Sequence, residues 1–407
     1  QLVQQSRVIH ARQSSALLAR LASLRGGGTF AAMRTTASFD LFPDAPSERA
    51  MARARYLVRE GRTDDAEAAY REVLTLQPDL KSCWAEYFEL LRDAGRVDEA
   101  LRVAQAAQAQ FPDSAFALAL TGAALIELAR YSEALAVLER AIESDPDLGL
   151  VWHELGVAAY RLGDRNRALL ALDRAFALEP HTETLKLRGR ILRDAGRYMA
   201  AEVAFEGATQ AAEHDEQRAD AAREVEATRR YASYAPRKPE EMLPAERWFA
   251  ETGSSVLAPH PGPVAPGDAS LIRAFAELAQ DRGWRFGQVV PVGPTLPIWN
   301  TLADLVDAPL VSRSAFDAAA VPLLVALRPL PADTGWGELA ASVAQGTGLV
   351  LTLEHPIETV AAVVQTDVVG ALTDRGTRAS AIPGVAHALA EVLHPASRLA
   401  QRRLRFD

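Results

Sequence analysis

The sequence predicts an α-solenoid followed by a three-layer α/β domain with a mostly parallel sheet. Three observations carry that expectation. Prolines recur every 34 residues in the first half, at Pro78, Pro112, Pro146 and Pro180. In the second half short apolar runs alternate with amphipathic ones, the pattern of βαβ units. Between them the proline-rich stretch from Tyr234 to Pro244 interrupts the repeat. The chain of 407 residues therefore divides into a leader (1–46), a solenoid with its cap (47–231), a linker (232–250) and an α/β domain of unassigned role (251–407).

Composition removes several classes. With 49% hydrophobic and 24% charged residues, the chain is an ordinary globular one, not collagen-like, disulfide-framed or wholly disordered. No run approaches the roughly 18 apolar residues of a membrane span, so none is expected. A net charge of −9 disfavours nucleic acid and anionic lipid as partners. The single cysteine, Cys83, admits neither an internal disulfide nor a cysteine-rich metal site, which fits a reducing, cytoplasmic setting. Only Lys81, Lys186 and Lys238 are lysines among 44 basic residues, a bacterial-like bias of a GC-rich genome.

Residues 1–39 hold Arg7, Arg12, Arg20, Arg25 and Arg34 and no acid before Asp40. Val8–Leu24 suits a short basic amphipathic helix ended by Gly26-Gly27-Gly28. Such a start is expected to be a disordered leader or a targeting segment.

The repeat follows from simple mechanics. Ala66, Ala100, Ala134 and Ala168 each stand twelve residues before a repeat proline, and Gly61, Gly95 and Gly163 seventeen before one. The glycine ends a first helix, the alanine lets a second helix approach it closely, and the proline stops the second helix. Trp84 and Trp152 occupy equivalent places, with Leu118 between them. The apolar stripe Trp152, Leu155, Ala159, Leu169, Leu172 and Phe176 needs neighbouring repeats to bury it.

With Trp152, Leu155-Gly156, Ala168, Ala175 and Pro180 in its best copy, the chain resembles the tetratricopeptide repeat family. The resemblance covers five repeats, 47–80, 81–114, 115–148, 149–181 and 182–215, the last one residue out of phase. Residues 216–231 are expected to form a polar capping helix. The resemblance implies a protein-binding scaffold that takes a polypeptide in a concave groove lined by first helices. Projecting the groove positions gives a mostly apolar, partly exposed middle, Phe116, Ala119, Ile126, Leu150, Val157 and Tyr160. Basic ends flank it: Arg55, Arg59 and Arg92 on one side, Arg161, Lys186, Arg190 and Arg193 on the other. Residues 47–215 hold 21 basic and 29 acidic residues, so basic groove ends in an acidic body would favour an acidic partner. The plainer possibility is that these cations pair with nearby Glu48, Glu89, Glu127 and Asp194. The family's carboxylate clamp is not expected, because its places hold Met51, Arg55 and Glu86.

In the second half, strands are expected at Ser255–Ala258, Phe286–Val292, Leu323–Arg328, Leu349–Leu353 and Asp367–Leu372. Helices are expected at Asp268–Asp281, Leu296–Val306, Gly335–Gln345, Ile357–Val364 and Val385–His394. Ligands of parallel sheets bind beyond the carboxyl ends of strands, which singles out His260, Asp333, Glu354, His355 and Asp374 as weak catalytic candidates. Phosphate loops and nucleophile elbows are missing, so no cofactor is expected. His387, Glu391 and His394 share a helical face and are the weak metal candidate. The functional expectation is a protein-interaction scaffold or adaptor with an accessory α/β domain. The alternative is a transferase-like enzyme whose repeats recruit substrate to a catalytic α/β domain.

Overall fold

The computed structural model describes residues 46–257, 267–294, 296–329, 335–356, 366–374, 377–378 and 385–398. The leader and the expected helix Ile357–Val364 lie outside the described residues.

Ten helices occupy the described part of the repeat region. They are α1 (Pro46–Arg59), α2 (Thr63–Leu76), α3 (Lys81–Asp93), α4 (Val97–Gln110), α5 (Ala115–Glu127), α6 (Tyr131–Ser144), α7 (Gly149–Arg161), α8 (Arg165–Leu178), α9 (Thr182–Asp194) and α10 (Tyr198–Ala211). Within the first unit short loops fold α1 to α8 into antiparallel pairs. The repeat alanines Ala66, Ala100, Ala134 and Ala168 are wholly buried, as close helix approach demands. Gly61, Gly95 and Gly163 take the left-handed conformation that closes each first helix, at φ of 71°, 72° and 85°. The third repeat has Ala129 at that place, with φ of 59°. Trp84 and Trp152 recur for a further reason. Each indole N–H donates to the carbonyl of the preceding repeat proline, Pro78 or Pro146, at 2.8 Å.

The chain divides into two compact units, one ending at Ile191 with Gln210–Glu213 added, the other Leu192–Thr209 with His214 onward. The division thus falls inside α9. In the second unit the expected capping helix is α11 (Asp215–Ala232), and it is not simply a solvated face. Tyr231 stacks on Tyr198 at 6.3 Å, and the Arg230 guanidinium is buried. Arg230 donates to the carbonyls of Ala250, at 3.0 Å, and Ala396, at 2.7 Å. Burial lowers the Arg230 pKa to about 10.

The expected linker 232–250 is corrected as well. It contains a short 3-10 turn and most of α12 (Pro244–Thr252), which buries Trp248 and Phe249. Its prolines start a helix: Pro244 sits in the first turn, where the missing N–H costs nothing. Glu246 caps it by accepting from the Leu243 N–H at 2.9 Å.

Beyond α12 follow β1 (Ser255–Val256), α13 (Asp268–Asp281), β2 (Gln288–Pro291), α14 (Ile298–Leu305), β3 (Pro322–Ala326) and α15 (Trp336–Gln345). The series ends with β4 (Leu349–Pro356), β5 (Val368–Asp374), β6 (Thr377–Arg378) and α16 (Val385–Leu393). Five strands form a parallel sheet in the order β1-β5-β4-β3-β2, and β6 adds antiparallel to β5. All five expected strands are present with shifted ends; β6, two residues long, carried no pattern to reveal it. Strand residues Val289, Leu323, Val325, Leu351 and Val368 cluster with Phe275 of α13, Trp299 of α14 and Val392 of α16. Their neighbours Val290, Leu324, Ala326 and Val350 cluster instead with Trp336, Ala340 and Val343 of α15. The alternation follows from the two-residue period of a strand.

Candidate partner-binding groove

The first helices α1, α3, α5, α7 and α9 carry the projected groove residues, of which only Arg193 belongs to the second unit. Their apolar members differ from expectation in exposure. Phe116 is 7% exposed, Leu150 2% and Ala119 0%; Ile126 and Val157 are also buried, and Tyr160 is half-buried. The partly exposed floor is therefore corrected to a buried one. Its cause begins with α5 itself, whose thirteen residues, apolar all round apart from Thr121 and Glu127, are all buried. The elements packed most extensively on α5 are α4, α6 and α7. In a stack of helix pairs these lie beside or behind a first helix.

The cations are also accounted for differently. Arg92 has a fully buried side chain, with Nε 2.5 Å from Glu127 and Nη1 2.8 Å from Glu89. Desolvation would lower its pKa, but the carboxylates of Glu89, Glu127 and Glu154 outweigh it and hold the guanidinium charged. Arg55 forks onto Glu86 at 2.7 and 2.9 Å. Lys186, buried, reaches Glu183 at 3.0 Å. In the second unit Arg193 is buried against Glu224 at 2.7 Å and lies over the rings of Phe205 and Tyr231. Arg190 is half-buried and Arg161 exposed. The expectation of basic groove ends is thus corrected: Arg92, Lys186 and Arg193 are committed to internal carboxylates. Helical spacing placed them on the right faces but could not show their partners, several of which come from the next helix or repeat.

A surface cleft of about 450 Å³ between α2, α3 and α4 escaped the sequence reading. Trp84, Tyr87 and Leu91 form its apolar wall, with Arg71, Glu99 and Arg102 at its edges. Beside it Glu67 accepts from Tyr87 Oη at 2.7 Å, Arg71 at 2.6 Å and Arg96 at 2.8 Å. Burial alone would raise the Glu67 pKa; the Tyr87 and Arg96 hydrogen bonds hold it below the ordinary value.

In the α/β half, Glu354 and His355 stand at the carboxyl end of β4, and Asp374 ends β5. Glu354 bonds Arg328 Nε. His355 is buried 4.5 Å from the Trp248 ring, and burial lowers its pKa despite the Pro356 carbonyl. His260 and Asp333 lie outside the described residues, as do the side chains of Asp374 and His387, so no catalytic constellation is assembled among the described residues. Glu391 accepts from Tyr234 Oη at 3.1 Å and from the Val256 N–H at 3.3 Å. His394 sits past the end of α16 and accepts from the Ala396 N–H at 3.1 Å. Glu391 thus ties α16 to Tyr234 and β1, while the side chain of His387, the third member of the weak metal candidate, lies outside the described residues. No group of potential metal ligands occurs among the described residues, and no described helix is long and apolar enough to cross a membrane.

Three tetratricopeptide repeat family models match, over residues 57–124, 117–148 and 153–216. None matches the C-terminal half. Among solved structures the chain is similar to a thermophilic TPR protein of Thermus thermophilus, at 21% identity. That match covers 44% of this chain and 98% of the other, with a TM-score of 0.39. It is also similar to PilW, a type IV pilus biogenesis factor, at 20% identity over 51% of this chain and 91% of the other, TM-score 0.42. A third is MamA, at 20% identity over 41% and 96%, TM-score 0.34. A search of the curated proteins finds no match.

Proposed function

From a tetratricopeptide repeat region spanning residues 57–216, we propose a protein-interaction scaffold that docks a polypeptide on the first-helix face of its first unit. Tyr160 offers the half-buried contact of that face, and Phe116, Ala119, Ile126, Leu150 and Val157 form the buried apolar layer that backs it. The observation that carries this reading is their concentration on two successive first helices, α5 and α7. A single repeat has no use for apolar residues on that side, whereas a bound segment does. Aromatic and aliphatic anchors commonly dominate such interfaces. The acidic partner expected from the sequence loses its support, since three of its recognising cations are committed internally.

We further propose that residues 251–407 form a three-layer α/β domain with an accessory role. Two apolar clusters on alternate strand residues, one shared with α13, α14 and α16 and the other with α15, support that layering. The groove is tested on the full chain by Tyr160→Arg, a substitution at the half-buried member of that face. Polypeptides captured by the wild-type chain should bind the variant at least tenfold more weakly, with its melting temperature retained. Unchanged binding would overturn the groove reading.

A further inference from the structure

The cleft of the first unit lies between the second helices α2 and α4, over α3. Tyr87 and Leu91 are buried beneath it, so an occupant meets the half-buried Leu74 and Trp84 and the exposed Thr75 and Ala106. The Trp84 N–H is committed to the Pro78 carbonyl at 2.8 Å, so the indole offers its ring and not a donor. At about 450 Å³ the cleft falls within the roughly 300–1,000 Å³ of ligand sites. That is room for one large side chain and its flanks, not for a helix.

The charged rim is a series of ion pairs with an arginine at each end. Arg71 donates to Glu67 at 2.6 Å and to Tyr87 Oη at 3.1 Å. Glu67 also accepts from Arg96 at 2.8 Å, and Arg96 forks onto Glu99 with two contacts of 2.6 Å. Arg102 ends the series with Nη2 3.6 Å from Glu99, beyond hydrogen-bond distance. Three guanidiniums thus share two carboxylates, and the surplus falls at Arg102, since Arg96 already holds Glu99. Asp64 lies 3.8 Å from Arg96, but its side chain is 99% exposed and water screens it. The end arginines keep side chains 65% and 67% exposed, with guanidinium donors open to an occupant. The repeat itself does not require them. One and two periods on, the place of Arg71 holds Gln105 and Glu139, and that of Arg102 holds Ala136 and Leu170.

We propose that this cleft is a second docking site, which takes an acidic peptide segment through an aromatic side chain flanked by carboxylates. The ring enters between Leu74 and Ala106 against the Trp84 indole, an aromatic pairing that adds to the area it buries. The flanking carboxylates meet Arg102 on one wall and Arg71 on the other, whose planar forks suit carboxylate oxygens. At Arg102 the peptide supplies the hydrogen bonds that Glu99, 3.6 Å away, does not. The site is independent of the first-helix face. With both occupied the scaffold holds two segments at once, and a partner carrying both gains avidity.

The probe is the unlabelled peptide Glu-Asp-Phe-Asp-Glu, titrated into the full chain by isothermal calorimetry. Control peptides replace its phenylalanine by alanine, or its acids by lysine. Docking predicts binding at least tenfold tighter than either control. Arg102→Glu and, separately, Trp84→Leu should each weaken it at least tenfold with melting temperature retained; the repeat already carries leucine at the equivalent place, Leu118. Tyr160→Arg should leave this binding unchanged. Equal affinity for the three peptides, or full affinity in Arg102→Glu, overturns the proposal. So does loss on Tyr160→Arg, which would put the peptide in the groove. Displacement by an equal concentration of phenylacetate would make the occupant a small aromatic acid, and self-association abolished by Arg102→Glu would make it a second copy; either result overturns the peptide. The groove reading is judged by Tyr160→Arg on captured polypeptides, so it stands or falls separately.

Discussion

Position fifteen of the repeat offers a reciprocal test of backbone strain. Gly163 holds φ of 85°, and Ala129 holds φ of 59° at the equivalent place one repeat earlier. A Cβ added at Gly163 would meet nothing within 4 Å, so Gly163→Ala changes backbone preference and not packing. Placing a Cβ in the left-handed region costs roughly 1–2 kcal/mol. The stiffer unfolded chain returns about 0.4–1 kcal/mol. Gly163→Ala should therefore destabilise by about 0.5–1 kcal/mol, and Ala129→Gly should stabilise by a similar amount. The double variant should lie close to wild type, because neither site shares a side-chain contact with the other. Urea unfolding followed by helical circular dichroism reads all four chains. A melting shift of about 2–4 °C per kcal/mol is expected for a unit of this size. If Ala129→Gly lowers stability, or Gly163→Ala is neutral, the left-handed caps are not where the strain lies.

Other outcomes follow from particular contacts. Gly122→Ala would place a Cβ 2.5 Å from Leu138 Cδ2 and 2.7 Å from its Cγ; with Leu138 wholly buried, the cost should be about 1–3 kcal/mol in the same unfolding assay. Arg92→Met removes the guanidinium from among Glu89, Glu127 and Glu154 and should destabilise by about 3–5 kcal/mol, measured by urea midpoint. The pKa of Glu67 is held below 4.5, so its stabilisation is full above that pH and is lost as the pH falls through the folded-state value. Glu67→Gln should therefore melt below wild type at pH 7, and the gap should close on acidification toward pH 3. Burial pushes the Cys83 thiol up to about 12, so thiol reagents should modify it only as the chain unfolds.

The repeat region was legible because its physics is local and periodic. A glycine cap, a small contact residue and a stopping proline each act within a few residues, and the 34-residue period multiplies the signal. The strands were legible because burial on both faces makes them continuously apolar. What failed was non-local. The prolines of 232–250 look like a linker until Pro244 is seen to begin a helix whose Trp248 packs against His355, more than a hundred residues away. Arg230 reads as a solvated charge until the carbonyls of Ala250 and Ala396 are placed around it. Arg92 reads as a groove cation for the same reason, since Glu127 lies one repeat on.

The most informative departure lies in α5. An amphipathic helix buries one stripe, and a helix apolar all round must be buried all round. Other first helices of this solenoid obey the first rule: α1 and α3 carry Arg49, Arg53, Arg55 and Glu86 on their outer sides. Helix α5 has no charge before its last residue, Glu127. Neighbouring repeats cover a first helix from behind and from both sides, but the stacking that covers those sides leaves the concave side to something other than a repeat. An apolar concave side is costly for a solenoid that binds nothing, because local consistency would favour polar residues there. Under the proposed docking, α5 departs from the repeat's own pattern on the face where a bound segment would lie.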